Sequence, residues 1–508
     1  MQSRSFLKTK LKTLCLLASC WPSAALLAQT GYEIKVTFKP YTKGYVYLAH
    51  YFGKSIYVKD SALLDASGHA VFQGAVPLEG GIYMLVNPLK SQLVEMLIDK
   101  EQHFSLSADS ADLVHDTHFT GSNENQVFNT YQAYAAGQFQ QIKPLQQALA
   151  GVKTHADSTR ITEEMQQLNK ATVDYRERIM KEYPESFLTA LFRLMQEPVI
   201  PPAPMLANGR KDSLFAYRYY KAHYWDGVSF SDQRLLFTPM FEPKLNDYFA
   251  RLVSPDVDSV KDEVNNMILY SRTDTTMFKY FITKFTNDYA NPKYMGQDAV
   301  FLDIFEKYYQ TGQVTWLTDE QKKPIYDRAY SIMANQLGDP AADMQLLDSS
   351  DRKVSLYSVQ APFTVVCFWD PDCGHCQKEV PILDSLYDAR WKKMGIKVYA
   401  VLVDTVKTDV ARIKPVKANW LRYIRDHHLE EWVNVYQTPE MKQEDADAKR
   451  ASYRQLYDVY QTPTLYLLDS QKRIIGKKLS YDQIDELIQR KLKIQQTATP
   501  TTNNPVSK

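Results

Sequence analysis

The first strongly patterned stretch of the chain alternates apolar and polar residues from Tyr32 to Lys39. A period of two is typical of a strand with one buried face. Further short apolar runs follow, separated by turn residues, at 44–50, 70–74, 82–86, 93–98 and 104–108. Short strands at this spacing predict an antiparallel β-sandwich over residues 29–121.

Residues 122–335 have a different pattern, because glycine becomes rare and apolar positions recur at helical spacing, as in 165–183, 187–196 and 300–309. This pattern predicts an all-α middle domain. Four prolines within 198–204 predict an extended connector. The many aromatic side chains favour helix–helix packing, with a ligand groove as the alternative.

From residue 340 the pattern alternates between strands and helices. An apolar strand at 363–369 precedes a helix expected to reach about residue 393, and a second buried strand covers 396–403. The remaining expected elements are helices at 419–428, 448–459 and 481–492, an extended segment at 432–436, and a hairpin of 464–468 with 473–477. This order predicts an α/β domain over 340–493 with helices on both faces of its sheet. The polar composition of 494–508 predicts a disordered tail.

The N-terminus carries a basic start, a short apolar centre and a small-residue exit, which together indicate a secretory signal peptide over residues 1–28. The alternative is a lipoprotein-type exit, with a lipid on Cys20. A membrane anchor is disfavoured because the apolar run is shorter than the ~20 residues that a spanning helix needs. Cleavage after Ala28 lowers the basic residues from 60 to 56 against 59 acidic ones, a net charge of −3. That balance gives no electrostatic reason to expect nucleic-acid binding.

Three cysteines remain after that cleavage: Cys367, Cys373 and Cys376. A large secreted chain with one close cysteine pair is not a disulfide-stapled scaffold. Zinc needs about four ligands, and neither a second CxxC motif nor a suitably spaced histidine pair accompanies the first. We therefore expect no metal and no cofactor.

The position of the Cys373-Gly374-His375-Cys376 motif favours redox chemistry. A CxxC motif directly after a buried strand and at the start of a helix has the thioredoxin-like context. There, unpaired amides and the helix dipole stabilise a thiolate on Cys373, and His375 can add to that effect. Farther along, Pro463 at the start of a strand suits a cis peptide bond, with an ordinary edge-strand proline as the alternative.

With both features in register, the chain resembles the TlpA/ResA-like branch of the thioredoxin superfamily. The segment from Phe368 to Pro381 is similar to that family's FWxxxCxxCxxExP signature, and Thr462-Pro463-Thr464 to its TPT segment. The resemblance covers about 340–493. The two domains before it resemble poorly characterised extensions of envelope proteins.

The resemblance implies a thiol–disulfide oxidoreductase in which Cys373 is the nucleophile and Cys376 resolves the mixed disulfide. Glu379 matches the family's active-site acid and could move protons, with a solvated helix carboxylate as the alternative. His375 would assist Cys373. The partner-binding residues would be Thr462, Pro463 and Trp369.

Three departures from thioredoxin itself bear on the chemistry. Cys367 replaces a buried acid, and we expect it to be an inert core residue. Asp372 replaces a tryptophan, and its charge should oppose thiolate formation. His375 replaces a proline, which is consistent with a reduction potential above thioredoxin's roughly −270 mV.

The leading hypothesis is an envelope or periplasmic enzyme that reduces protein disulfides, supplied with electrons by an upstream, membrane-bound thiol donor. A thioredoxin-fold peroxidase is one alternative, although peroxidatic sites usually lack a tight CxxC motif. A non-enzymatic binding module with a structural CxxC disulfide is the other. A reduction potential below about −300 mV would indicate such a structural bond.

Overall fold

The computed structural model describes residues 31–403 and 410–498. The expectations for the signal peptide, for Cys20 and for residues 499–508 lie outside this part of the chain. The described residues form two compact units. The first contains residues 31–196 with 234–240, and the second contains 197–233 and the chain from 241 onward. This division places the first three helices with the β-strands, unlike the predicted division at residue 121.

Two four-stranded sheets form the β part of the first unit, in the orders β4-β1-β7-β8 and β3-β2-β5-β6. Their apolar faces share one core, to which Ile34 and Leu48 contribute from opposite sheets. All pairs are antiparallel except β1 with β7, which is parallel. The strands are β1 (Tyr32–Lys39), β2 (Tyr45–Phe52), β3 (Ser55–Leu63), β4 (His69–Gly74), β5 (Gly81–Val86), β6 (Leu93–Ile98), β7 (His103–Asp109) and β8 (His118–Thr120).

Helices make up most of the chain from residue 123 to 333, and most described N-termini carry a side-chain cap, as at Ser122 and Thr154. The helices are α1 (Asn123–Gly151), α2 (His155–Glu182), α3 (Phe187–Met195), α4 (Phe215–His223), α5 (Phe241–Arg251), α6 (Val257–Tyr270), α7 (Thr275–Ala290), α8 (Asp298–Ile304) and α9 (Asp319–Met333), with shorter turns at Gln233–Phe237 and Phe305–Tyr309. Among the described residues, none of the helices combines the length and the apolar composition needed to cross a membrane.

A seven-stranded mixed sheet with the order β10-β9-β13-β12-β11-β14-β15 organises the C-terminal part of the second unit. Its strands are β9 (Gln345–Asp348), β10 (Lys353–Ser355), β11 (Phe363–Trp369), β12 (Lys397–Leu402), β13 (Val433–Tyr436), β14 (Thr464–Asp469) and β15 (Ile474–Lys477). Its helices are α10 (Cys376–Leu386, continued by Tyr387–Trp391), α11 (Val410–Asp426), α12 (Pro439–Asp447), α13 (Tyr453–Leu456) and α14 (Tyr481–Ala498), with short turns at Leu356–Ser358 and Leu429–Glu431.

All residues of the central strand β11 are buried. Since successive side chains point to opposite sides of a strand, they enter two different cores. Cys367 and Trp369 enter a core with α10 and α14, whereas Val366 and Phe368 enter a second core on the other face. The predicted order of a β region, a helical region and an α/β region is therefore confirmed.

Two local predictions are corrected, and one strand was missed. The helix expected at 448–459 is only the short α13 at Tyr453–Leu456, because Lys449 and Asp458 on either side of it adopt positive φ angles of 52° and 49° that interrupt helical backbone. The tail expected from residue 494 begins with helix, since α14 reaches Ala498. Strand β3 was not predicted, because most of its residues are exposed and it lacks an alternating pattern.

Candidate active site

The CxxC motif follows the C-terminal end of β11, where a turn organised by Asp370 leads into α10. The Asp370 carboxylate accepts a hydrogen bond from the Asp372 amide (2.8 Å), and its carbonyl accepts one from the Cys373 amide (3.1 Å). The Gln377 side chain donates to the Pro371 carbonyl (2.9 Å), which holds the turn against the helix. Asp370 was not among the predicted residues, although an Asp-Pro-Asp sequence is a recognisable turn signal.

Cys373 is the accessible thiol of the pair. Its Sγ is partly exposed and donates a hydrogen bond to the Thr462 carbonyl at 3.3 Å. Partial burial is the largest influence on the Cys373 pKa and raises it. Hydrogen bonds from the Thr462 side chain, from the amide and side chain of Cys376, and from the His375 amide together outweigh burial, so the net pKa lies below that of an ordinary cysteine. The start of α10 therefore favours the thiolate, as the sequence predicted.

Cys376 has the opposite environment. It is fully buried in the core beneath the sheet. Burial is the main cause that raises its pKa, to about 12, and the neighbouring Cys373 adds to the effect. At neutral pH, Cys376 is therefore a protonated thiol next to a more acidic, accessible one.

Thr462 and Pro463 lie beside the motif because β14 is the antiparallel neighbour of β11. The Thr462–Pro463 peptide bond is cis, as predicted. The buried Thr464 hydroxyl donates to the Gln461 carbonyl at 2.7 Å and closes the turn that precedes β14. Thr462 and Pro463 are partly exposed, so a partner chain can reach them.

His375 is the residue of the motif that directly precedes α10, and Glu379 lies on the first turn of that helix. Glu379 is partly buried, and its amide donates to the His375 carbonyl at 3.0 Å. Its carboxylate has no hydrogen-bond partner in the described part of the chain, and its charge acts on Cys367. The His375 side chain is exposed. Both residues are therefore placed near the thiols, and their chemical roles stay predictions.

The structure places Cys367 and Trp369 in the core. Burial, with smaller contributions from Cys376 and Glu379, raises the pKa of Cys367 well above its ordinary value, so this thiol is inert at neutral pH. Trp369 is fully buried against Tyr423, with ring centroids 5.2 Å apart. A ring without exposed surface cannot contact a partner, so the expected partner-binding role of Trp369 is wrong. Trp369 instead belongs to the buried core that also contains Cys376.

Asp372, whose charge is expected to oppose thiolate formation, directly precedes Cys373. Its carboxylate accepts a hydrogen bond from Asn419 at 2.5 Å. With Asp372 in this position, the net pKa of Cys373 is still lowered. The predicted opposition to thiolate formation is therefore outweighed.

The strand–CxxC–helix arrangement and the adjacent cis-proline define the C-terminal domain as a thioredoxin-like thiol–disulfide oxidoreductase domain. Residues 337–476 match the model of the AhpC/TSA family. Residues 32–128 and 156–334 match two domains of unknown function, DUF4369 and DUF5106.

The C-terminal domain is also similar to curated relatives and to solved structures. A thiol-disulfide oxidoreductase ResA of Bacillus thuringiensis is 23% identical over 158 residues, which cover 31% of this chain and 78% of the relative. ResA of Oceanobacillus iheyensis is 23% identical over 157 residues, 30% of this chain and 70% of the relative. A domain of a "possible thiol-disulfide isomerase" from Cytophaga hutchinsonii is 32% identical and covers 32% of this chain and 96% of its own, with a TM-score of 0.26. A thioredoxin-like protein from Bacteroides caccae is 21% identical and covers 56% and 97%, with a TM-score of 0.41.

The chain therefore carries an AhpC/TSA-family, thioredoxin-like domain that is similar to the ResA thiol–disulfide oxidoreductases, and these similarities support an oxidoreductase activity.

Proposed function

We propose that this protein exchanges disulfides with partner proteins in the cell envelope, with Cys373 as the nucleophile and Cys376 as the resolving thiol. The observation that supports this assignment is the asymmetry of the pair. One thiol is accessible and has a lowered pKa, and the other is buried and has a raised pKa. Attack requires a thiolate that can reach a partner, and only Cys373 meets both conditions.

The reaction transfers two electrons from the dithiol to the partner. The Cys373 thiolate attacks one sulfur of the partner disulfide, forms a mixed disulfide, and expels the other sulfur as a thiolate. Cys376 then loses its proton and attacks Cys373 Sγ, which forms the internal disulfide and expels the second partner thiolate. Both partner thiolates take up protons according to their own pKa values.

Glu379 is our candidate for the group that receives the proton of Cys376. The second step needs a base, because the raised pKa of Cys376 leaves almost no thiolate at neutral pH. Glu379 lies on the same helical turn as the pair, and its carboxylate has no competing hydrogen bond among the described residues. His375, exposed at the helix start, would stabilise the Cys373 thiolate.

We further propose that the protein works outside the cytoplasm in the reductive direction. The signal-peptide pattern of residues 1–28 and the resemblance to ResA support this location. An upstream thiol donor, expected to be membrane-bound, would reduce the Cys373–Cys376 disulfide after each turnover. The partner proteins are those with disulfides that must be opened in the envelope.

Single cysteine variants test the proposal. We expect Cys373→Ser to abolish reduction of insulin, and Cys376→Ser to accumulate a mixed disulfide that a reducing agent releases. Cys367→Ala is the matched control, because this cysteine is buried and should leave the rate unchanged. Full activity in both CxxC variants would contradict the proposed function.

Equilibration with glutathione separates an exchanging pair from a structural bond. We expect a reduction potential above about −270 mV, whereas a value below about −300 mV would identify a structural disulfide and favour a binding module.

A further inference from the structure

A cleft begins beside the Thr462–Pro463 turn and extends away from the thiols within the second unit. It has a volume of about 520 Å³. Its walls are the loop 291–296 after α7, the residues Tyr460 and Gln461 before the turn, and the segment 477–479, which begins with the last residue of β15. We call it the 291–296 cleft. Its size is within the range of protein sites that bind ligands or peptide side chains.

Buried charges fix one wall of this cleft. Asp458 is 1% exposed and precedes Tyr460 in the chain. Its carboxylate forms ion pairs with Arg328 of α9 and with Lys478, and it accepts a hydrogen bond from Ser331 at 3.0 Å. The helical region thus holds the segment that leads into the active-site turn.

A second buried ion pair fixes a second wall, where the loop 291–296 contacts β15. The Lys477 ammonium lies 2.6 Å from the Asp298 carboxylate and donates to the Asn335 carbonyl at 3.0 Å. The Lys477 amide is also 3.4 Å from the Met295 sulfur, which ties the loop 291–296 to the edge strand β15. Because both walls are held by buried contacts, the cleft exists before a partner binds.

The lining of the cleft is cationic. The lining has two carboxylates, those of Asp298 and Asp458, and four cationic residues, which leaves an excess of two positive charges. The cationic residues are Lys293, Arg328, Lys477 and Lys478. Lys293 is exposed and forms no ion pair within the described ranges, and its ammonium lies 5.5 Å from the Tyr294 ring centroid. Tyr294 and Tyr460 are 50% and 70% exposed, so each presents an aromatic face at the rim.

We propose that the 291–296 cleft binds an extended acidic segment of the partner protein next to its target disulfide. This proposal rests on the proposed function, since it extends the contact that a partner would make with Thr462. A chain that pairs with the Thr462 backbone continues past Gln461 and Tyr460 into the cleft. Acidic side chains complement its excess positive charge, and apolar groups can pack on the two tyrosines.

The test compares two synthetic peptides, each closed by one disulfide and differing only in acidic or basic residues beside it. The Cys376→Ser variant is mixed with each peptide, and the rate of mixed-disulfide formation is measured at low and high salt. We expect the acidic peptide to react at least about fivefold faster at low salt, and the preference to shrink at high salt as screening increases.

Two charge reversals locate the effect. Lys293→Glu is added to the Cys376→Ser variant. It should lower the ratio of the rates for the acidic and the basic peptide about fivefold, because it changes the charge of the cleft by two units. Lys397→Glu is the matched control. It is an exposed lysine on the first residue of β12, at the end of the sheet opposite the thiols, and should leave the ratio unchanged.

The outcomes distinguish this proposal from the proposed function. If the protein with both cysteines fails to exchange with a small neutral disulfide such as oxidised glutathione, the proposed function itself is contradicted. If it exchanges but reacts equally with both peptides, or if Lys397→Glu lowers the ratio as much as Lys293→Glu, the cleft proposal is overturned. Self-association that Lys293→Glu abolishes, without a peptide preference, would assign the cleft to a second copy of the chain and also overturn it.

Discussion

Removal of the Asp298 carboxylate should destabilise the second unit more than removal of any exposed carboxylate. Asp298 and Lys477 are 2.6 Å apart, and their side chains are 9% and 4% exposed. Asp298→Ala leaves the Lys477 ammonium buried, with the two Asn335 oxygens as its hydrogen-bond acceptors in the described part of the chain and with no ion-pair partner in direct contact. Breaking a buried ion pair from one side costs about 3–5 kcal/mol, since the remaining charge is desolvated without a counter-charge.

The pH dependence of this loss follows from Lys477. Burial already lowers the pKa of Lys477, although Asp298 partly opposes that shift. Without Asp298 the pKa falls further, so the folded state prefers neutral lysine more strongly than the unfolded chain does. The destabilisation is therefore fully present below the lowered pKa. It decreases as the pH rises from that value toward the ordinary pKa of lysine.

Tryptophan fluorescence during urea denaturation measures the unfolding of the second unit, which contains Asp298 and Lys477. Six of the seven tryptophans lie in the second unit, and the seventh is Trp21. We expect the free energy of unfolding of Asp298→Ala to fall by about 4 kcal/mol at neutral pH. The double variant Asp298→Leu with Lys477→Met should recover most of the loss, because it leaves no unpaired buried charge.

The matched control is Asp327→Ala, which breaks the exposed Lys323–Asp327 pair of α9. Its side chains are 72% and 61% exposed, so we expect a loss below about 1 kcal/mol. Equal losses for Asp298→Ala and Asp327→Ala would refute the argument that the Lys477 pair is buried and anchors the cleft.

Two further predictions concern the active site. Alkylation of Cys373 in the Cys376→Ser variant should show a pH midpoint below the ~8.5 of a free cysteine, because the net environment lowers its pKa, and a midpoint at or above ~8.5 would contradict this. Glu379→Gln should slow resolution of the mixed disulfide by about 100-fold or more in stopped-flow measurements and leave the first attack unchanged, whereas unchanged resolution would show that Glu379 is only a solvated carboxylate.

The local features of the active site could be predicted from the sequence because they depend on adjacent residues. The CxxC motif directly follows a buried strand, and that adjacency alone places Cys373 at a helix start. Thr462 and Pro463 were predicted from a short motif before the strand that pairs with β11. The partner-binding role expected of Trp369 was wrong, because a central strand that is apolar throughout does not reveal which of its residues stay accessible.

The features that connect distant segments could not be predicted. Arg328 and Asp458 are separated by 130 positions, and their contact depends on how α9 packs against the C-terminal domain. The same holds for Lys477 and Asp298, which read in sequence as ordinary surface charges. Strand β3 escaped prediction for a different reason, since exposure along most of its length removes the alternation on which strand prediction depends.

The most direct test of the central claim identifies the cysteine that carries a trapped partner. The Cys376→Ser variant is incubated with a disulfide-containing protein, and the mixed disulfide is mapped by mass spectrometry after proteolysis. The account predicts that the partner is attached to Cys373 and that Cys367 remains a free thiol. A partner attached to Cys367, or no covalent adduct at all, would contradict the account.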